Sequence, residues 1–328
     1  MRKFLASSSR ILAILVVVIG LFWAILARPI YSSRIDLPDN TSRISPDALK
    51  NHVLMLSADL APRNYEHLEN LNDVADYIAE SFRSSGAGVA EQVFEVYGTQ
   101  YRNVIAEYGP QGEELIVVGA HYDVEGENPG ADDNASGVAG LLELGRLLGQ
   151  VQLESRVVLV AFTLEEPPFF GSDSMGSAVF AKSLREKGTK LKLMIALEMI
   201  GYFSEVPGSQ DYPAPYLSFL YPSTGDFVVI VDQILSMQAQ RMKQWMNRFI
   251  EVPVYSINAP SSVPGVDYSD HRNFWRYDYP AVMVTDTAFN RNVAYHTKYD
   301  TAERLDYEKM AQVVHGIYLY VLHLNQET

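Results

Sequence analysis

Four apolar runs, LIVVGA (115–120), VVLVAF (157–162), LMIAL (193–197) and AVMV (281–284), show no alternation with polar residues. A strand with one wet face alternates. A run without alternation suits a strand covered on both faces, the habit of parallel sheets with helices above and below. Helical spacing fills the stretches between. Residues 69–85 place Leu71, Val74, Ile78 and Phe82 on one stripe, and ASGVAGLLELGRLLG does the same with Val138, Leu141, Leu144 and Leu148. Residues 177–188 and 306–324 also read as helices. This alternation predicts an α/β domain: a three-layer sandwich around a mostly parallel, mixed central sheet.

Residues 11–27, ILAILVVVIGLFWAILA, are uncharged and apolar, and Arg2, Lys3 and Arg10 precede them. The length reaches the short end for a spanning helix, and the basic flank belongs on the cytoplasmic side. The expectation is one N-terminal transmembrane helix acting as an uncleaved signal-anchor, with residues 1–10 cytoplasmic. Residues 28–45 read as a linker and 46–328 as a catalytic domain held outside the cytoplasm, periplasmic or extracellular. Asn40-Thr41-Ser42 is a glycosylation sequon, meaningful only in a eukaryotic secretory setting.

The net charge of −14 argues against a nucleic-acid partner, whose phosphates need Lys and Arg. With no cysteine in the chain, any metal must sit on His, Asp and Glu.

Each apolar run ends in such residues. His121-Tyr122-Asp123 follows the first, and Thr163-Leu164-Glu165-Glu166 the second. Glu198 closes the third; Asp286 and then Tyr295-His296 follow the fourth. Ligands of open α/β sheets bind outside the carboxyl ends of the strands, so these side chains are set to converge. Alone, each has a plain reading as a polar turn residue. Glu198 is harder to dismiss, because an unpaired carboxylate inside IALEMIG would cost several kcal/mol. In ADDNASG, Asp133 or Asn134 stands where a helix starting near Ala135 needs its N-cap. A carboxylate held that way can bridge two metals, and neighbouring Asp132 and Asp133 call for a cation.

The set HYD, PGADDNASG, the Glu-Glu pair, the lone Glu198, SDH (269–271) and YHTKYDT (295–301) resembles the co-catalytic di-zinc aminopeptidases, the family of bacterial leucyl aminopeptidase and aminopeptidase Y. The resemblance spans roughly residues 46–328 and implies a zinc-exopeptidase fold with two zinc ions. It implies that Asp133 bridges the ions, that Glu166 and His296 complete one and His121 and Glu198 the other, and that Glu165 is the general base. Asp123 would orient the His121 imidazole, and Asp132 would support the bridging turn. Tyr202 and Tyr295 are candidates for binding the substrate oxyanion; Asp270, Glu125 and Glu127 are candidates for its amine. The expected activity is hydrolysis of a peptide bond beside a free terminus, with a peptide or aminoacyl substrate. Two features depart from the family. Glu198 stands where it more often has Asp, and a longer turn after the Glu-Glu pair carries Pro167, Pro168, Phe169 and Phe170 as a stiff wall. The rival readings are a single-zinc glutaminyl cyclase and a catalytically silent receptor ectodomain. Amino- versus carboxypeptidase specificity and oligomeric state stay open at this level.

Overall fold

The computed structural model describes residues 10–21, 34–35, 43–112 and 114–327. Of the expected membrane span, residues 10–21 form helix α1, exposed throughout, and residues 22–27 lie outside the described residues. Among the described residues no helix is long and apolar enough to cross a membrane. The sequon and most of the linker also fall outside the described residues.

Eight strands make one mixed sheet: β1 (Gly88–Val96), β2 (Thr99–Tyr108), β3 (Glu114–His121), β4 (Arg156–Phe162), β5 (Lys190–Glu198), β6 (Val228–Asp232), β7 (Val254–Asn258) and β8 (Ala281–Thr285). Their order is β1-β2-β4-β3-β5-β8-β6-β7. The four runs read from sequence are β3, β4, β5 and β8, which form its central parallel block. Antiparallel pairings extend the block at both edges, through β2 on one side and β6 on the other. The β1–β2 hairpin turns at Tyr97 and Gly98, both at positive φ (51° and 83°), as a two-residue turn with matching twist requires.

Helices cover both faces. On one lie α2 (Pro46–Leu54), α3 (Leu68–Ser84), α4 (Gly137–Leu148), α6 (Gln238–Met246) and α8 (Tyr307–Gln326). They pack on Ile116, Val118, Leu159, Ile195 and Leu197. On the other lie α5 (Gly176–Glu186) and α7 (His271–Arg276), packed on Val117, Val158, Val160, Met194 and Met283. Successive residues of each strand therefore serve opposite cores, which is why the runs do not alternate. Helix α4 lies between the sheet and other helices, and only Arg146 of its length escapes full burial. Its apolar all-round composition follows from that place.

One buried group sets a pH limit on this packing. His315 of α8 is 8% exposed, and neither ring nitrogen has a hydrogen-bond partner. Burial, helped by Arg43, pushes its pKa down to about 4. The unfolded chain thus binds this proton more readily, so the stability is present above pH 6.5 and lost as pH falls towards 4. The loss is on the order of 2–3 kcal/mol. His315→Leu is expected to flatten the decline in Tm between pH 7 and 4.5; an unchanged decline would show that His315 does not cause it.

Candidate metal centre

The site is built by short segments at the carboxyl end of the parallel block, cross-linked by side-chain-to-backbone hydrogen bonds. After His121 the chain reaches Gly130, whose φ of +59° turns it sharply into residues 131–136. A Cβ at Gly130 would lie 2.2 Å from the carbonyl oxygen of Asp133, so only glycine fits. The turn that follows is laced to the exit of β5. Asn134 Oδ1 accepts from Met199 N (3.1 Å), Ser136 Oγ from Ile200 N (3.0 Å) and Asp132 Oδ1 from Gly201 N (3.1 Å). Asn134 Oδ1 also accepts from Gly137 N (3.1 Å), so Asn134 does the capping and leaves the Asp133 carboxylate free. The buried Arg63 guanidinium, which no sequence signal marks, donates to the carbonyls of Pro129 (2.5 Å) and Gly130 (2.6 Å).

These segments bring His121, Asp133, Glu165, Glu166, Glu198 and His296 together. Three groups within the set could each hold an ion: His121 with Asp133 and Glu198; Asp133 with Glu166 and His296; and His121 with Glu165 and Glu166, ligand atoms lying within 4.8 Å in each. Asp133 faces two ways. Its Oδ1 is 3.4 Å from His121 Nε2, and its Oδ2 is 3.1 Å from His296 Nε2. Glu198 Oε2 lies 3.4 Å from His121 Nε2, and Glu166 Oε2 lies 3.4 Å from His296 Nε2. Glu165 Oε2 stands further off, 4.0 Å from His121 Nε2. Ser269 Oγ donates to Glu198 Oε2 (2.6 Å).

Four carboxylates face two imidazoles in a buried site, a charge excess that a bound cation or carboxyl protonation must neutralise. Burial raises Glu166 to about 8, with Asp133 adding to the rise, and burial raises Glu198 as well. For His296 burial opposes the charge, yet Asp133 and Glu166 prevail and hold it at about 10. For His121 burial is again outweighed, by Glu198 and Glu165, and the imidazole lies well above its ordinary value. Glu166 Oε1 and His296 Nε2 are buried without a hydrogen-bond partner. Buried orphan donors of this type, on His, Asp and Glu, suit zinc.

The remaining predicted residues divide. Tyr295 stacks on the His296 ring (centroids 3.7 Å apart, 17° between planes). Asp270 is 1% exposed, with neither oxygen partnered, and burial lifts it to about 7. Tyr202 instead lies under Arg304, 5.2 Å from its guanidinium carbon. Glu125 accepts from Asn128, and Glu127 meets His67 at the surface. Asp123 meets His121 Nδ1 twice, through its backbone oxygen at 3.2 Å and more distantly through its carboxylate at 3.7 Å. Of the aromatic wall, Phe169 packs edge-on to Tyr65 and Phe170 lies under Arg272.

Beside Glu198 and Tyr295 opens a cleft of about 800 Å³, including its solvent-filled mouth. Tyr212, Leu217, Phe227, Val263, Met283 and Phe289 give it apolar walls. A two-sided helical cover, a parallel block and a carboxylate–imidazole centre at its strand ends define a zinc metallo-exopeptidase. The comparisons with known proteins agree, and the chain belongs to peptidase family M28, whose profile matches residues 103–321. It is 51% identical over 290 residues to YfbL, an uncharacterized protein of Escherichia coli (strain K12), covering 86% of this chain and 89% of that one. It is 26% identical over 299 residues to a probable leucine aminopeptidase of Arthroderma benhamiae, covering 86% and 75%. The fold is that of BSAP, a zinc aminopeptidase from Bacillus subtilis, with a TM-score of 0.68 at 14% identity over 90% of this chain and 97% of that one.

Proposed function

We propose that the chain is a two-zinc aminopeptidase. The observation that carries this reading is the double-faced Asp133, one oxygen toward His121 and the other toward His296. In this reading His121 and Glu198 hold one ion, Glu166 and His296 hold the other, and Asp133 is shared. Zinc, when bound, supplies Lewis acidity toward a carbonyl and acidifies water. The rest falls to the protein. Glu165, left out of both ligand sets, accepts a proton from water and delivers it to the leaving amine nitrogen. Tyr295, on the cleft wall beside the centre, donates to the developing oxyanion. The apolar cleft receives the side chain of the N-terminal residue. Asp270, a buried carboxylate near Glu198, is the candidate for the substrate ammonium.

The apolar run at 11–27 and its basic flank support a membrane anchor, with the catalytic domain outside the cytoplasm. A mature chain beginning after residue 27 would refute the uncleaved anchor.

Aminoacyl-anilide hydrolysis tests the activity. Leucyl and phenylalanyl anilides are expected to turn over, and chelation to abolish it. Turnover of N-terminal glutamine to a cyclic product with a single bound ion would establish the cyclase instead. Bound zinc without turnover on a broad panel would establish a silent receptor. The cleft makes a separate prediction. Val263→Trp, which narrows it, should lower kcat/KM for leucyl and phenylalanyl substrates about tenfold and for alanyl substrates much less. Equal losses would remove the cleft from substrate recognition.

A further inference from the structure

Two buried carboxylates close on the turns that carry the reacting groups, and they do so in the same way. Asp123 Oδ1 accepts from Glu165 N (3.1 Å), and its Oδ2 accepts from Glu166 N (3.0 Å). Asp300 accepts from Asp132 N (3.1 Å to each oxygen) and, through Oδ2, from Asp133 N (3.0 Å). Asp123 is 3% exposed and Asp300 1%. Each thus spends both oxygens on two consecutive backbone N–H groups, one pair carrying Glu165 and Glu166, the other carrying Asp133.

We propose that Asp123 and Asp300 are positioning residues, acting through these backbone amides to set the Glu165–Glu166 pair and the Asp133 carboxylate. The inference rests on the catalytic reading above. It gives Asp123 a different role from orienting the His121 imidazole. That imidazole already meets the Asp123 backbone oxygen at 3.2 Å, while the carboxylate reaches both amides and lies further from the ring, at 3.7 Å. The two roles have different chemical demands. Orienting one imidazole N–H needs one acceptor, which Asn keeps. Clamping two N–H groups needs two acceptors, and Asn turns an NH2 donor against one of them. Arg63 holds the same Asp133 turn from its carbonyl side, so Asp300 completes a two-sided grip.

The test combines kinetics, zinc affinity and amide exchange on the full chain. For Asp123→Asn the expected result is a kcat about 100-fold lower at saturating zinc, the loss typical of reacting groups displaced by about 1 Å. KM should stay within about threefold of the parent, and zinc affinity should fall as well because the clamp also sets the ligand Glu166. Asp123→Glu keeps the charge but moves the oxygens by a methylene, and it should not rescue kcat. In the zinc-free parent, the Glu165 and Glu166 amides should exchange slowly although they lie beyond the end of β4. They should exchange faster in Asp123→Asn, as should the Asp132 and Asp133 amides in Asp300→Asn. A ten- to hundredfold loss of zinc affinity, with kcat recovered at saturating zinc, would assign Asp123 to the imidazole and overturn the clamp. So would a kcat within threefold of the parent, or rapid exchange of these amides in the parent, a result independent of how the variants fold. Full activity in Glu165→Gln would strike the catalytic reading itself, a result distinct from any of these.

Discussion

Glu165→Gln should lower kcat about 10³- to 10⁴-fold and leave bound zinc unchanged. The size reflects proton transfer, since a positioned general base contributes up to about 10⁴-fold and glutamine cannot take a proton. Metal retention follows from geometry. Glu165 stands 4.0 Å from the nearest histidine nitrogen, further than Asp133, Glu166 or Glu198 stand from theirs. Its pKa is driven well above the ordinary value, by burial first, against His121, with Glu166, Glu198 and Asp270 adding to the rise. The isosteric amide keeps the size of the side chain and removes its capacity to take a proton. Zinc content and single-turnover kinetics check the prediction together. Loss of zinc with loss of rate would make Glu165 a ligand, and an unchanged rate would remove it from the chemistry.

Asp133→Asn should be more damaging. Glutamate to glutamine at position 165 removes a proton acceptor, whereas at position 133 the change removes the charge on which both halves of the centre depend. His121 and His296 hold the Asp133 carboxyl far below the usual range despite its burial, which shows how strongly the site favours an anion there. Without it, two cations would face each other with no shared counter-ion. The expected result is at most one ion per chain and a rate loss of at least about 10⁴-fold that added zinc does not restore. Two ions retained at full occupancy would mean that Asp133 does not bridge.

How much of this is legible in the sequence follows from what each residue does. Strands buried on both faces announce themselves as apolar runs, and acidic and imidazole groups at their ends stand out against that background. His121, Glu166, Glu198 and His296 are therefore readable. The β1–β2 hairpin is not, because β1 is mostly exposed and its apolar residues, in GVAEQVFEV, form no continuous run. The β6 segment VVIVD carries an apolar run as long as AVMV and is as legible as that strand. Arg63 leaves no trace at all, and Asp300 stands inside YHTKYDT (295–301) with nothing there to show what it holds. Their partners are backbone groups of distant turns, and no spacing rule shows which amides a buried carboxylate will meet. Asp123 is visible through its place two residues past His121, but its partners depend on the turn at Leu164, whose φ of +58° tips the Glu165 and Glu166 amides toward it. Tyr202 follows the same lesson: adjacency to a metal-site strand in sequence does not decide which way the ring turns.

The most direct measurement is anomalous scattering at the zinc edge from crystals of the active, zinc-loaded chain. The expected result is two peaks per chain, both within about 2.0–2.2 Å of an Asp133 carboxylate oxygen. A single peak in fully active protein, or two peaks that do not share Asp133, would contradict the shared-carboxylate centre.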